Sequence, residues 1–240
     1  MLPACFINMK RAAFFILLFF CVAGSTAQSA NDIVTILKGK LDAVKDYEAT
    51  GKLKTDVAFL KIPISNVRIY YKHPDFFRIK KDGGISVLPK GGIRISMGSL
   101  ITQGNYTAID AGRTNWKGAD LAIIKLVPDG QSSEIVITTL YVDDKAMLIR
   151  KTITTTKDNG TYEMEMDYGK YAKWGLPDKA VMIFNTKDYK LPKGITFEYE
   201  ASIADKNKST KPPSKQGRVE IIYASYDINK GLKSEVFTAN

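Results

Sequence analysis

From Tyr47 onward the apolar residues recur at every second position, in one short segment after another. Side chains two residues apart share a face only in an extended strand, so this period dictates the backbone. "YEATGKLKTDVAFL" places Tyr47, Ala49, Gly51 and Leu53 on one side. "ISNVRIYYK" does the same with Val67, Ile69 and Tyr71, and "FFRIKKDGG" with Phe77 and Ile79. "NYTAIDAG", "DLAIIKLVPDG", "EIVITTLYVDD", "AMLIRKTITTTKDNG", "TYEMEMDYGKY", "AVMIFNTKD", "ITFEYEASIAD" and "RVEIIYASYDI" follow, most of them ending at Gly, Pro, Asn or Asp. That makes about eleven strands. No crossover helix fits between them, so the sheet is expected to be mainly antiparallel. The cleanest alternation is "TYEMEMDYG": Tyr162, Met164, Met166 and Tyr168 point one way, and Glu163, Glu165 and Asp167 the other. One face meets apolar groups and the other meets water.

One helix precedes the strands. In "NDIVTILKGKLDAVKDYEA", Ile33, Ile36, Leu37, Leu41 and Val44 recur at helical spacing, and Asn31 or Asp32 is expected to cap the start. Ahead of it, "MKRAAFFILLFFCVAGSTAQSA" has the layout of a secretory signal peptide: Lys10 and Arg11, an apolar run from Ala12 to Gly24, then small residues with cleavage expected before Gln28. Residues 1–27 are read as the signal and residues 28–240 as a single domain. The first eight residues add nothing a signal needs, so Met9 is an alternative start. Phe20 stands where a lipoprotein signal needs a small residue, so Cys21 is not expected to be lipidated. Both cysteines, Cys5 and Cys21, fall in this segment, which leaves an exported chain without a disulfide and points to a periplasm. Removing residues 1–27 takes the net charge from +10 to +8, a balance suited to anionic lipid or an acidic partner. No nucleic-acid motif is present, and no nucleic-acid partner is expected.

Catalytic and metal-binding patterns are missing. The single histidine, His73, and a mature chain without cysteine leave little for zinc. Acidic clusters such as Asp143-Asp144 lack calcium-loop spacing. No GxSxG elbow occurs. "PKGGIRIS" has Lys90 ahead of its glycines, the reverse of a phosphate loop, and reads as a tight turn. Glu163 and Glu165 read as a solvated strand face. No catalytic residue, metal or cofactor is expected, and the chain is not read as an enzyme. What remains is a capacity to hold something apolar, since so many strands can curl around a volume that one helix does not fill. The candidate lining residues are Ile33, Leu37 and Leu41 on the helix, with Leu53, Ile69, Tyr71, Phe77, Ile79, Tyr162, Met164, Met166 and Tyr168 on strands; methionine suits flexible ligands. "GGISVLPKGGIRISMGSLITQG" is glycine-rich and irregular. "DKNKSTKPPSKQG" reads as a polar hairpin loop whose Lys206, Lys208, Lys211 and Lys215 are docking candidates for anionic headgroups or an acidic protein.

The chain resembles the periplasmic lipoprotein carriers of the LolA type and their wider outer-membrane lipoprotein-sorting superfamily, as a variant. The signal running directly into "IVTILKGKLDAVKDYEATGKLK", the strand pair "VRIYYKHPDFFRI", the hairpin "LYVDDKAMLIRKTITTTKDNGTYEMEMDYGKY" and the strand "LPDKAVMIF" carry the likeness, over roughly residues 31 to 200. The resemblance implies a mainly β fold with a helical lid: an incomplete, strongly curved antiparallel barrel with an apolar interior that shelters lipoprotein acyl chains, or another envelope lipid, on the way to the outer membrane. It implies a monomer, loaded by an inner-membrane ATP-driven complex and emptied by an outer-membrane acceptor. A non-carrier binding or regulatory module on the same frame is the alternative. His73 stands where the family has an arginine that latches the lid; a neutral imidazole offers one donor against five. The segment "GRVEIIYASYDINKGLKSEVF" departs from the family's ending and suggests an added strand.

Overall fold

A computed structural model describes residues 29–56, 64–74, 76–81, 101, 105–130, 133–158, 160–185 and 216–237. The signal segment, the glycine-rich middle (save Ile101), the "ITFEYEASIAD" strand and the lysine loop lie outside the described residues. The helix, α1, spans Ala30–Asp42. Its cap is Ser29, not Asn31 or Asp32: the Ser29 hydroxyl accepts from the Asp32 N–H at 3.1 Å. Asp32 therefore sits in the first turn, where its charge meets the positive end of the helix dipole. Ile33, Val34 and Leu37 are buried, but Ile36 is 43% exposed. Val44 lies beyond the helix end, so it leaves the helical face and joins a different cluster.

Ten strands follow: β1 Asp46–Asp56, β2 Ser65–Lys72, β3 Phe76–Lys81, β4 Tyr106–Trp116, β5 Ala119–Pro128, β6 Ile135–Asp143, β7 Leu148–Thr156, β8 Thr161–Asp167, β9 Lys179–Asn185 and β10 Gln216–Ile228. They form one antiparallel, curved sheet in the order β3-β2-β1-β10-β9-β8-β7-β6-β5-β4. Among the described residues β3 and β4 are edges that do not pair with each other, so the barrel is incomplete, with α1 against its inner face. Ten of the expected strands are seen; the eleventh falls outside the described residues. The segment read as an added strand is central. β10 pairs β1 on one side and β9 on the other, and so joins the N-terminal hairpin to the β4–β9 meander.

The β1–β10 ladder carries a bulge: Thr50 faces Ser225 and Gly51 faces Tyr223, leaving Ala224 unpaired. Tyr223 and Tyr226, three residues apart, thereby share the inner face with rings stacked at 4.9 Å. Gly51 permits this approach, since a Cβ there would stand 2.5 Å from the Ile222 carbonyl oxygen. Two apolar cores result. In one, Ile33, Val34 and Leu37 of α1 pack on Ile124, Leu140 and Met166. In the other, Tyr47, Ile69, Ile79, Tyr223 and Tyr226 pack with Leu176, joined by Tyr171 and Trp174 at the 3-10 turn Ala172–Trp174.

Gly51→Ala should destabilise by about 2 kcal/mol, because the obstacle is backbone in a paired ladder. Gly39→Ala, on the exposed helix surface with nothing within 4 Å, should stabilise by up to ~1 kcal/mol. Thermal unfolding of the two variants beside the parent checks both signs.

Candidate functional site

Between the two cores the inner face carries a band built on β6, β7, β8, β9 and β10, which meets the second core through Val219 and Ile221. The registers place Thr152, Met164, Met182 and Val219 side by side in one cross-strand row. The next row is Thr138, Thr154, Tyr162, Phe184 and Gly217. Met164 and Phe184 are buried, while Tyr162, Met182, Val219 and Ile221 are half-buried. The Phe184 ring lies across β10 because Gly217 has no side chain; a Cβ there would stand 2.5 Å from the ring. The polar members are satisfied locally: the Thr138 and Thr154 hydroxyls are 3.1 Å apart. Burial raises the Tyr162 phenol above its usual range, and a hydrogen bond with Thr154 pulls the other way. The band is thus apolar and flexible along one row, and aromatic with buried hydroxyls along the other.

The twelve lining residues expected from the sequence do not form one set. Ile33, Leu37, Leu41, Met166 and Tyr168 belong to the helix-covered core, and the Tyr168 hydroxyl donates to the Ile149 carbonyl at 2.9 Å. Leu53, Ile69, Tyr71, Phe77 and Ile79 belong to the second core. Tyr162 and Met164 alone lie in the central band. Phe77 packs inward, whereas Phe76 is 53% exposed on the outer side against Phe237, at 5.8 Å between centroids. Sequence reasoning passed over Met182, Phe184 and Val219. Alternation in "AVMIFN" places Met182 and Phe184 on one face with Ala180, but only the β8–β9 register shows that this face meets Met164 and Tyr162.

The imidazole of His73 makes no hydrogen bond through its buried Nδ1, although the His73 backbone N–H donates to the Lys45 carbonyl at 2.7 Å. Asn229, at the end of β10, clips the turn that follows α1. Its Oδ1 accepts from the N–H groups of Lys45 and Asp46 at 2.7 and 3.3 Å, and its Nδ2 donates to the Ala43 carbonyl at 2.9 Å. The buried Asp46 carboxylate returns the contact by accepting from the N–H of Lys230 at 2.9 Å and of Gly231 at 3.1 Å. Asn229 has φ 58°, a left-handed conformation that asparagine tolerates better than most residues. No sequence motif marks it.

No family model matches this chain, and no curated protein matches it. Solved structures do. A protein described as an outer membrane lipoprotein-sorting domain, from Vibrio parahaemolyticus, aligns at 12% identity and a TM-score of 0.51 over 87% of this chain and 97% of its own. A DUF1329 family protein from Desulfovibrio piger aligns at 11% identity and 0.50, over 87% and 95%. A LolA superfamily protein from Nitrosomonas europaea aligns at 10% identity and 0.50, over 89% and 99%. The likeness is one of fold.

Tyrosines dominate the second core. Tyr47 stacks on Tyr71 at 5.2 Å and meets Tyr226 edge-on at 5.2 Å, and Tyr171 meets Tyr226 at 4.8 Å. The Tyr226 hydroxyl donates to the Pro177 carbonyl at 2.7 Å. Burial, then the charge of neighbouring groups, pushes the Tyr47 and Tyr226 phenols above the usual 10.0; burial raises Tyr223 despite its hydrogen bond with Tyr226. The unfolded chain ionises these phenols first, so the stabilisation is complete below about pH 10 and is lost as pH rises toward the folded-state values. Stability should hold through neutral pH and fall above about pH 10, and the absorbance of these phenolates should appear only with unfolding. A parallel titration by ultraviolet absorbance and circular dichroism checks this; free titration of all twelve tyrosines in the folded protein contradicts it.

Proposed function

We propose that this protein is a periplasmic carrier. It shelters the acyl chains of a lipoprotein, or of another envelope lipid, against the inner face of its open sheet and moves them through water toward the outer membrane. The observation that carries this reading is the central band: Met164 and Phe184 buried, and Tyr162 and Met182 half-buried, aligned across β8 and β9 outside both packed cores and continued on β10 by Val219 at the margin of the second core. Each methylene withdrawn from water contributes about 0.8 kcal/mol, so a multiply acylated cargo cannot cross the periplasm alone. Methionine side chains re-pack around chains of different length. The fold shared with a lipoprotein-sorting domain and a LolA superfamily protein supports the same reading.

The carrier reading requires no catalytic group. The buried phenols are held protonated, so none of them is a base at neutral pH. Among the described residues no cluster of metal-ligating side chains occurs, and no helix is long and apolar enough to cross a membrane. The carrier works as a monomer, with an ATP-driven inner-membrane complex to load it and an outer-membrane acceptor to empty it.

Organic-solvent extraction of the purified protein, followed by mass spectrometry, should recover acylated lipid, and the emptied protein should take up a fluorescent acyl probe. Met182→Lys puts a charge into the band from a half-buried position, and should weaken probe binding about tenfold or more while the fold is retained. Lipid-free protein that refuses the probe sinks the carrier reading and favours a module that binds proteins.

A further inference from the structure

Among the described residues the outer face of β1–β3 gathers several positive charges. Arg68 on β2 stands directly opposite Lys80 on β3, and Lys52 lies on the adjacent strand, β1. Like charges opposite one another on neighbouring strands destabilise a sheet. Elsewhere on the sheet Lys151 meets Glu163, Lys179 and Arg218 share Glu220, and Lys117 meets Glu165. On the β1–β3 face Arg68 pairs with Glu48 at 3.9 Å while its side chain stays 57% exposed. Lys52 is exposed, and Lys80 rests over the Tyr70 ring at 5.7 Å. Ile222, 46% exposed, lies in register with Lys52 on the same outer face, and Ile64, 65% exposed, precedes β2.

We propose that this face is the surface by which the protein docks on a bilayer bearing anionic headgroups. The charge selects lipid of net negative charge over zwitterionic lipid, with each lysine or arginine near such a surface adding to the attraction. The exposed isoleucines among the cations favour a bilayer boundary over a purely acidic protein. The sheet edge β3 borders this face, so docking brings one lip of the incomplete barrel to the headgroup layer, where an acyl chain leaves or enters the membrane. The orientation rests on the carrier reading; the docking itself does not.

Co-sedimentation of the full chain with vesicles of phosphatidylethanolamine and phosphatidylglycerol tests it. In low salt the protein should bind these vesicles, ignore pure phosphatidylcholine, and come off as salt is raised. The triple substitution Lys52→Ser, Arg68→Ser, Lys80→Ser should weaken binding about tenfold or more, with acyl-probe uptake in solution unchanged. Replacing lysines 52 and 80 by arginine should preserve vesicle binding and guards against a fold effect. Three results overturn the proposal: no binding of the parent to the anionic vesicles, equal binding of the triple variant, or loss of binding only when Lys206, Lys208, Lys211 and Lys215 are replaced. A parent that takes up the acyl probe but ignores the vesicles overturns the docking surface alone.

Discussion

The structure depends on the seating of β10 between β1 and β9. Without its two ladders the N-terminal hairpin of β1–β3 and the meander of β4–β9 would share no backbone hydrogen bonds among the described strands. Both the second core and the central band draw on it: Tyr223 and Tyr226 enter the core from β10, while Val219 and Gly217 complete the two rows of the band. The cost of this closure is concentrated at Gly51, where β1 and β10 approach more nearly than any side chain allows. Non-local closure of this kind also pairs residues some 180 positions apart, Tyr47 with Ile228, so the sheet is completed by its last strand.

Much of the architecture was legible because alternation is a local property. "TYEMEMDYG" alone assigns Met164 and Met166 to the buried side of β8, and both are buried there. The helix was readable from Ile33 and Leu37, but its limits were not. Ser29 outcompeted Asn31 and Asp32 as the cap, because a hydroxyl one residue before the first helical position reaches the Asp32 N–H. Ile36 fits the apolar period and is nonetheless 43% exposed, since helical spacing fixes a stripe's direction and not its width. Strand order was not legible. Nothing in "GRVEIIYASYDI" distinguishes an edge strand from a central one, and its bulge reverses the face that a strict period of two gives to either Tyr223 or Tyr226.

The same limit explains the site. Alternation names the inner face of each strand, and all the strand candidates lie on that face. It does not say which inner residues fill a core and which lie between cores. That distinction arises from register, which is set by the turns and the bulge. Met182 and Phe184 were therefore as visible as Met164 and Tyr162, yet only cross-strand pairing groups the four.

Attachment of the helix is asymmetric. Its described directional bonds to the sheet cluster at the C-terminal end: Lys40 donates to the carbonyls of Ala146 and Met147 at 3.1 and 2.9 Å, and Asn229 grips Ala43, Lys45 and Asp46. Ala30, Ile33 and Val34 hold the other end by apolar contact alone among these interactions. Apolar contacts are non-directional and exchange readily for an acyl chain of similar surface, whereas a backbone carbonyl or N–H stripped of its partner costs about 1–3 kcal/mol. A guest competing for the inner face would thus displace the N-terminal half of α1 more cheaply than the end anchored through Lys40.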